Sequence, residues 1–168
     1  MITGKNYIGN LLTSTGKKTF KTFNPELNKE NDWVFTEAST IEIDKAVELA
    51  TKAFKSYSKL SGEAKSCFLN EIANQILLVG EELQKVYCLE SGLTKERFLA
   101  ERTRTLFQLR SFADLVKEGS WVEASIDVGN AERKPNPKPD IRKLNIPLGP
   151  VVVFGASNFP LAYSTAGG

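Results

Sequence analysis

The chain has no histidine among its 168 residues, and this absence excludes more chemistry than any residue present. Without an imidazole there is no Ser-His-Asp triad, no Cys-His dyad and no imidazole-bound metal within this chain. Two cysteines are too few for a four-thiolate zinc site. No metal centre is expected. Charge of one sign is also lacking: 22 Lys and Arg stand against 20 Asp and Glu, for a net +2. That is far from the basic footprint of a nucleic-acid binder. No run approaches the ~20 apolar residues of a membrane span. Residues 1–16 hold no apolar core of a secretory leader. The expectation is a soluble, cytoplasmic protein with no nucleic-acid or membrane partner.

What remains is ordinary for a folded domain: 41% hydrophobic, 25% charged and 10% aromatic residues. Residues 1–39 suggest short strands and turns at Asn6–Gly9, Thr19–Phe23 and Trp33–Phe35, β-type residues bounded by Gly, Pro and Asn. Residues 40–118 carry three helical stripes. The first runs through Ile43, Ala46, Val47, Ala50, Ala53, Phe54 and Tyr57, capped by Ser39 or Thr40. The second spans about Glu63 to Glu90, with Phe68, Ile72, Ile76, Val79, Leu83, Val86 and Tyr87 on one face and Ser91-Gly92 ending it. Its Gly80 is expected to sit inside the helix at a cost of ~1 kcal/mol relative to Ala. The third starts near Thr94, where Arg97 leaves a capping box incomplete, and continues through Phe98, Leu106, Leu109, Phe112, Ala113 and Val116 to Gly119.

Beyond residue 120 the pattern returns to strands. Trp121–Val128 and Ile141–Ile146 are expected to pair as a long hairpin around the proline- and charge-rich segment 132–143. That segment nets +3, leaving −1 on the rest. It is either an anion patch or, since no aromatic is interleaved for stacking, a solvated hairpin tip that resists edge aggregation. Pro147-Leu-Gly-Pro150 turns the chain into Val151–Phe154, apolar on both faces and expected to be a buried strand of a parallel sheet. The chain stops at Ala166-Gly167-Gly168, just after a helix start, and is expected to be the front part of something longer.

Candidate chemistry is sparse. Cys67 and Cys88 lie among apolar neighbours on the second helix. They are expected to be buried reduced thiols, a disulfide being the alternative. Glu63, Glu71, Glu81, Glu82 and Glu90 are expected on solvated faces rather than converging for acid–base work. The informative segment is Gly149–Gly155 followed by Ala156-Ser157-Asn158-Phe159-Pro160, a strand, a small-residue turn and a proline-started helix. Open α/β sheets bind ligands at such strand ends. Neither G-x-G-x-x-G nor the P-loop pattern is present. Asn158 is either a turn or capping residue, or a donor aimed at a developing oxyanion.

The string Ile146-Pro-Leu-Gly-Pro-Val-Val-Val-Phe-Gly-Ala-Ser-Asn-Phe-Pro-Leu161 resembles the first strand and turn of the cofactor domain in the aldehyde dehydrogenase superfamily. Asn24-Pro25, the Ala46–Phe54 helix, Glu90-Ser91-Gly92 and the 121–146 hairpin resemble further family segments in the same order. Ala156-Ser157 before the Asn, with Ser164-Thr-Ala-Gly-Gly168, resembles the branch acting on 2,5-dioxovalerate (α-ketoglutaric semialdehyde) and long-chain fatty aldehydes. The resemblance implies an α/β fold: the N-terminal portion of an aldehyde dehydrogenase, with three long helices, an oligomerisation hairpin and the first strand of a Rossmann-like cofactor domain. It divides the chain into N-terminal strands plus the helical part of the cofactor domain (1–119), the oligomerisation hairpin (120–146), and the first strand and turn of a truncated NAD(P)-binding sheet (147–168). It implies oxidation of a small-molecule aldehyde with NAD or NADP, in a homo-oligomer held through the hairpin. Asn158 matches the oxyanion-stabilising Asn. Phe154, Gly155, Ala156 and Ser157 match the turn whose backbone touches the cofactor ribose. The family's nucleophilic cysteine and base glutamate lie downstream of residue 168, and Cys67 and Cys88 do not match that nucleophile. The segment by itself is therefore expected to be inactive. The competing expectation is a non-catalytic binding or assembly module built from the same helices and hairpin.

Overall fold

The structure, a computed structural model, describes residues 2–165. The elements run in the order β1 (Asn6–Ile8), β2 (Leu11–Thr13), β3 (Thr19–Asn24), β4 (Lys29–Thr36), α1 (Thr40–Tyr57), α2 (Gly62–Ser91), α3 (Lys95–Glu118), β5 (Ser125–Asp127), β6 (Ile141–Lys143) and α4 (Ala162–Thr165). The strands form three separate antiparallel pairs, β1–β2, β3–β4 and β5–β6. In β3–β4 the register slips between Lys21 and Phe23, and Phe20 stacks across the pair on Phe35 at 5.6 Å. Such cross-strand aromatic pairs stabilise an otherwise marginal hairpin.

The core lies between α2 and α3. Ala73 of α2 packs with Leu106 and Leu109 of α3, flanked by Leu69, Ile72 and Ile76. Phe98 and Ala113 are fully buried on the same face of α3. The helix ends follow side-chain chemistry. Ser39 accepts from the Glu42 backbone N–H, and the Glu42 carboxylate accepts from the Ser39 N–H at 2.9 Å, a complete capping box. The Glu42 carboxylate also accepts from the Thr15 N–H at 3.1 Å, joining the β2–β3 loop to the start of α1. The nearby Thr13 hydroxyl, with bonds from the Ser39 and Thr15 N–H groups, holds the Glu42 carboxyl well below the usual carboxylate range. Thr94 caps α3 by accepting from the Arg97 N–H at 3.2 Å.

Several expectations are corrected. Gly80 does not sit in a continuous helix: at φ 47°, ψ −114° it breaks α2 into two helical halves. That backbone conformation suits glycine, which has no Cβ to clash. The α1 stripe is largely uncovered, with Ile43 and Val47 exposed, although Tyr57 at its end meets Phe68 of α2 edge to face at 6.0 Å. Cys67 is exposed and Cys88 only half-buried, and both are free thiols. Trp121 belongs to a single 3-10 turn, Ser120–Val122, rather than to a strand. A hairpin forms, but over shorter strands than expected, Ser125–Asp127 and Ile141–Lys143, with Ser125 opposite Lys143 and Asp127 opposite Ile141. Val151–Phe154 is neither a strand nor buried. Among the described residues no strand pairs with it, and its side chains are 51 to 86% exposed. A parallel strand is buried only where neighbouring strands and crossover helices cover it, and no described element does so here. Ala166-Gly167-Gly168 lies outside the described residues.

Candidate active site

The segment after Val151–Phe154 is organised by side chains from α3. A turn closes where the Phe159 N–H donates to the Ala156 carbonyl at 3.2 Å. Pro160 follows, and α4 begins at Ala162. Four residues make too short a helix to stand alone, so the position of α4 depends on what it packs against. That is α3: Ala162 is fully buried, and the backbone N–H groups of Leu161 and Ala162 both donate to Glu101 Oε1, each at 2.8 Å. The other carboxylate oxygen, Oε2, accepts the Tyr87 hydroxyl at 2.6 Å. Glu101 is 2% exposed, and with these three donors the buried carboxylate has the partners that burial demands. Burial, followed by the Glu101 bond and charge, pushes the Tyr87 phenol well above its ordinary value.

Arg97 holds the turn one helical step away. Its guanidinium donates to the Asn158 carbonyl at 3.3 Å and lies over the Phe159 ring, 4.2 Å from the centroid. Phe159 stacks on Tyr163 at 5.0 Å, and Arg104 lies 5.4 Å from the Phe159 ring. Cation–π contacts of this kind add order to a partly exposed turn.

The outer face of the turn borders an open groove of about 610 Å³. Thr22 of β3, Tyr87, Glu90 and Ser91 at the end of α2, Ser157 and Asn158 are among its walls. Gly92 closes α2 in the left-handed region, and a Cβ there would stand 2.8 Å from the Pro25 ring, so glycine permits the close approach of the β3–β4 turn. Asn24 shapes that turn by accepting from the Glu26 and Leu27 N–H groups, both at 3.0 Å. The widely separated Glu90-Ser91 and Ser157-Asn158 thus line one concavity, and Pro25 packs beside it against Gly92.

Of the residues singled out by sequence, Asn158 and Ser157 are exposed at this groove, with Ala156 half-buried behind them. The Asn158 side-chain amide makes no hydrogen bond to another described residue. Phe154 and Gly155 are exposed, and their peptide groups likewise have no partner among the described residues. Cys67, Cys88, Glu63, Glu71, Glu81 and Glu82 do not border the groove; Glu90 does. Among the described residues no three acidic, Cys or His side chains are placed to hold a metal, and no helix is long and apolar enough to cross a membrane. Sequence reasoning missed Glu101 and the holding role of Arg97. The signal was there: Glu101 falls between Phe98 and Thr105 on the buried face of α3, and a carboxylate on an apolar stripe requires partners.

Comparison with known proteins places this arrangement. The chain is 41% identical over 165 residues to an alpha-ketoglutaric semialdehyde dehydrogenase of Acinetobacter baylyi, an alignment covering 98% of this chain and 31% of that protein. It is 41% identical over 168 residues to alpha-ketoglutaric semialdehyde dehydrogenase 2 of Azospirillum brasilense, covering 99% and 32%. The chain thus spans about a third of the length of these curated relatives. The fold is that of a NAD-dependent benzaldehyde dehydrogenase from Corynebacterium glutamicum, with TM-score 0.69, 21% identity and coverage of 78% of this chain and 28% of that one. A betaine aldehyde dehydrogenase from Staphylococcus aureus in complex with NAD+ gives TM-score 0.66 at 23% identity, covering 74% and 25%. The aldehyde dehydrogenase family matches residues 12–167, a span that includes all three long helices and the Asn158 turn, and the chain belongs to that family.

Proposed function

We propose that this segment is part of an enzyme that oxidises an aldehyde to a carboxylate with a nicotinamide dinucleotide, and that Asn158 is its oxyanion donor. The observation that carries the reading is the unengaged Asn158 amide, presented at a groove by a turn that α3 holds from behind. Attack of a thiolate on the aldehyde carbon turns the carbonyl oxygen into an anion. A neutral amide fixed in advance stabilises that anion without reorganising during the step. Neither Cys67 nor Cys88 borders the groove, so no nucleophile is assigned within residues 2–165.

The residues at 154–157 fit a dinucleotide. The peptide groups of Phe154 and Gly155 have no partner among the described residues and are open to a ribose hydroxyl. A Cβ at Gly155 would come 2.6 Å from Ser164 Oγ, so the small residue keeps the backbone close to the start of α4. Phe154, Gly155, Ala156 and Ser157 would hold the ribose through their backbone. The bound dinucleotide would supply the hydride acceptor.

The substrate assigned is α-ketoglutaric semialdehyde, supported by the 41% identity to two relatives of that name. The 120–146 hairpin is assigned to subunit association: it is a two-stranded ribbon exposing Ile126, Val128, Ile141 and Leu144. The unpaired Cys67 and Cys88 accord with a reducing, cytoplasmic setting. The test is steady-state formation of reduced dinucleotide by an enzyme of the relatives' length that carries this segment. α-Ketoglutaric semialdehyde is compared with a long-chain fatty aldehyde, and NAD+ with NADP+. Preferred turnover of the semialdehyde supports the assignment. Preference for the fatty aldehyde reassigns the substrate, and no aldehyde-dependent reduction with either contradicts the function.

A further inference from the structure

We propose that Glu101 is a positioning residue for Asn158, acting through the backbone of the turn; the proposal rests on the reading of Asn158 as the oxyanion donor. Three observations converge on it. The Asn158 amide has no hydrogen bond to another described residue, so what the described protein holds is the backbone that carries it. That backbone is gripped at two points from α3. Arg97 donates to the Asn158 carbonyl at 3.3 Å, and Glu101 accepts from the Leu161 and Ala162 N–H groups at 2.8 Å each. Arg97 and Glu101 lie four residues apart, one turn of the same helix, so both grips come from one rigid face.

Glu101 cannot easily rotate away. Its second oxygen accepts the Tyr87 hydroxyl at 2.6 Å, so both carboxylate oxygens are engaged. Tyr87 and Phe98, both buried, meet edge to face at 5.2 Å. The chain from the α2–α3 core to the reacting oxygen therefore has named links: Tyr87 orients Glu101, Glu101 fixes residues 161–162, and the fixed turn aims Asn158. A carboxylate suits this place because one oxygen can accept two converging N–H groups while the other accepts a third donor. Displacement of about 1 Å at a reacting group costs on the order of 10²-fold in rate, so loosening the turn is visible in kcat.

The experiment uses the dehydrogenase that carries this segment, with rates normalised to titrated active sites. Glu101→Ala frees both N–H groups and is expected to lower kcat by about 10- to 100-fold. Glu101→Gln keeps an acceptor oxygen for residues 161–162 and places its NH2 against the Tyr87 oxygen, and it is expected to restore most of kcat. In the Asn158→Ala background, Glu101→Ala is expected to cause no further loss, because the group it positions is gone. A purely structural Glu101 gives a different pattern: a lower thermal midpoint with unchanged kcat per active site, or losses that multiply in the double variant. Either result overturns the proposal. Should Glu101→Ala not fold, Arg97→Ala carries the same test from the other grip, with kcat lowered alone and unchanged on top of Asn158→Ala. If Asn158→Ala leaves kcat unchanged, the oxyanion reading itself fails and the proposal falls with it. If Asn158→Ala lowers kcat while Glu101→Ala does not, only the positioning role is lost.

Discussion

Tyr87 donates its hydroxyl to Glu101 at 2.6 Å across the α2–α3 interface, in a site where Glu101 is 2% exposed. This bond couples the most buried part of the helical core to the turn that carries Asn158. Tyr87→Phe removes the donor and leaves one carboxylate oxygen without its partner. The expected cost is about 1.5–3 kcal/mol, the range for a hydrogen bond to a charged group. Its pH dependence has a definite sign. The native state holds the phenol proton above the ordinary value of 10.0, so the stabilisation is complete below that pH and shrinks as pH rises through it towards the folded value. Thermal midpoints of wild type and Tyr87→Phe should stay apart near neutrality and converge in strong alkali. A gap independent of alkaline pH contradicts the assignment.

Gly80 gives a test in which the sign alone decides. In a regular helix, Gly80→Ala would stabilise by up to ~1 kcal/mol. At φ 47°, ψ −114° an added Cβ is strained even though no atom stands within 4 Å of it. The substitution is therefore expected to destabilise, by about 1 kcal/mol or more. A raised thermal midpoint would show that α2 runs straight.

How much could be read from sequence divides along a physical line. The ends of α2 and α3 were legible because Ser91-Gly92, Thr94 and Gly119 act within a few residues of themselves. The hairpin was legible for a different reason: two runs of β-type residues flank a proline-rich loop that cannot be helical. Gly80 was not, since the apolar stripe continues through it on both sides and periodicity does not report backbone dihedrals. Val151–Phe154 carries the pattern of an interior strand, but burial depends on neighbours that this segment does not itself contribute. At the candidate site Asn158 was legible by its motif. Glu101 was not, because its partners Tyr87, Leu161 and Ala162 lie 14 to 61 positions away in the chain.

Glu42 ties the β2–β3 loop to α1, and the bonds that lower its acidity imply a loss of stability in acid. The contribution is fully present above the ordinary glutamate value of 4.5 and is lost progressively as pH falls below it towards the folded value. Glu42→Gln should therefore lower the thermal midpoint at neutral pH, with the difference narrowing as the pH is taken down past 4. An undiminished difference in acid would mean that the carboxylate charge is not what holds the loop.

The central claim, that Asn158 stabilises the oxyanion, is tested most directly by measuring kcat and the thermal midpoint together for Asn158→Ala in the dehydrogenase that carries this segment. Loss of one oxyanion donor is expected to lower kcat by ~10²–10³, or about 2.7–4 kcal/mol. The midpoint should barely move, because the side chain has no partner within the described protein to lose. Dinucleotide affinity should also hold, since the backbone of 154–157 supplies that contact. A turn or capping residue would give the reverse pattern: stability reduced by ~1 kcal/mol with kcat intact, which would contradict the account.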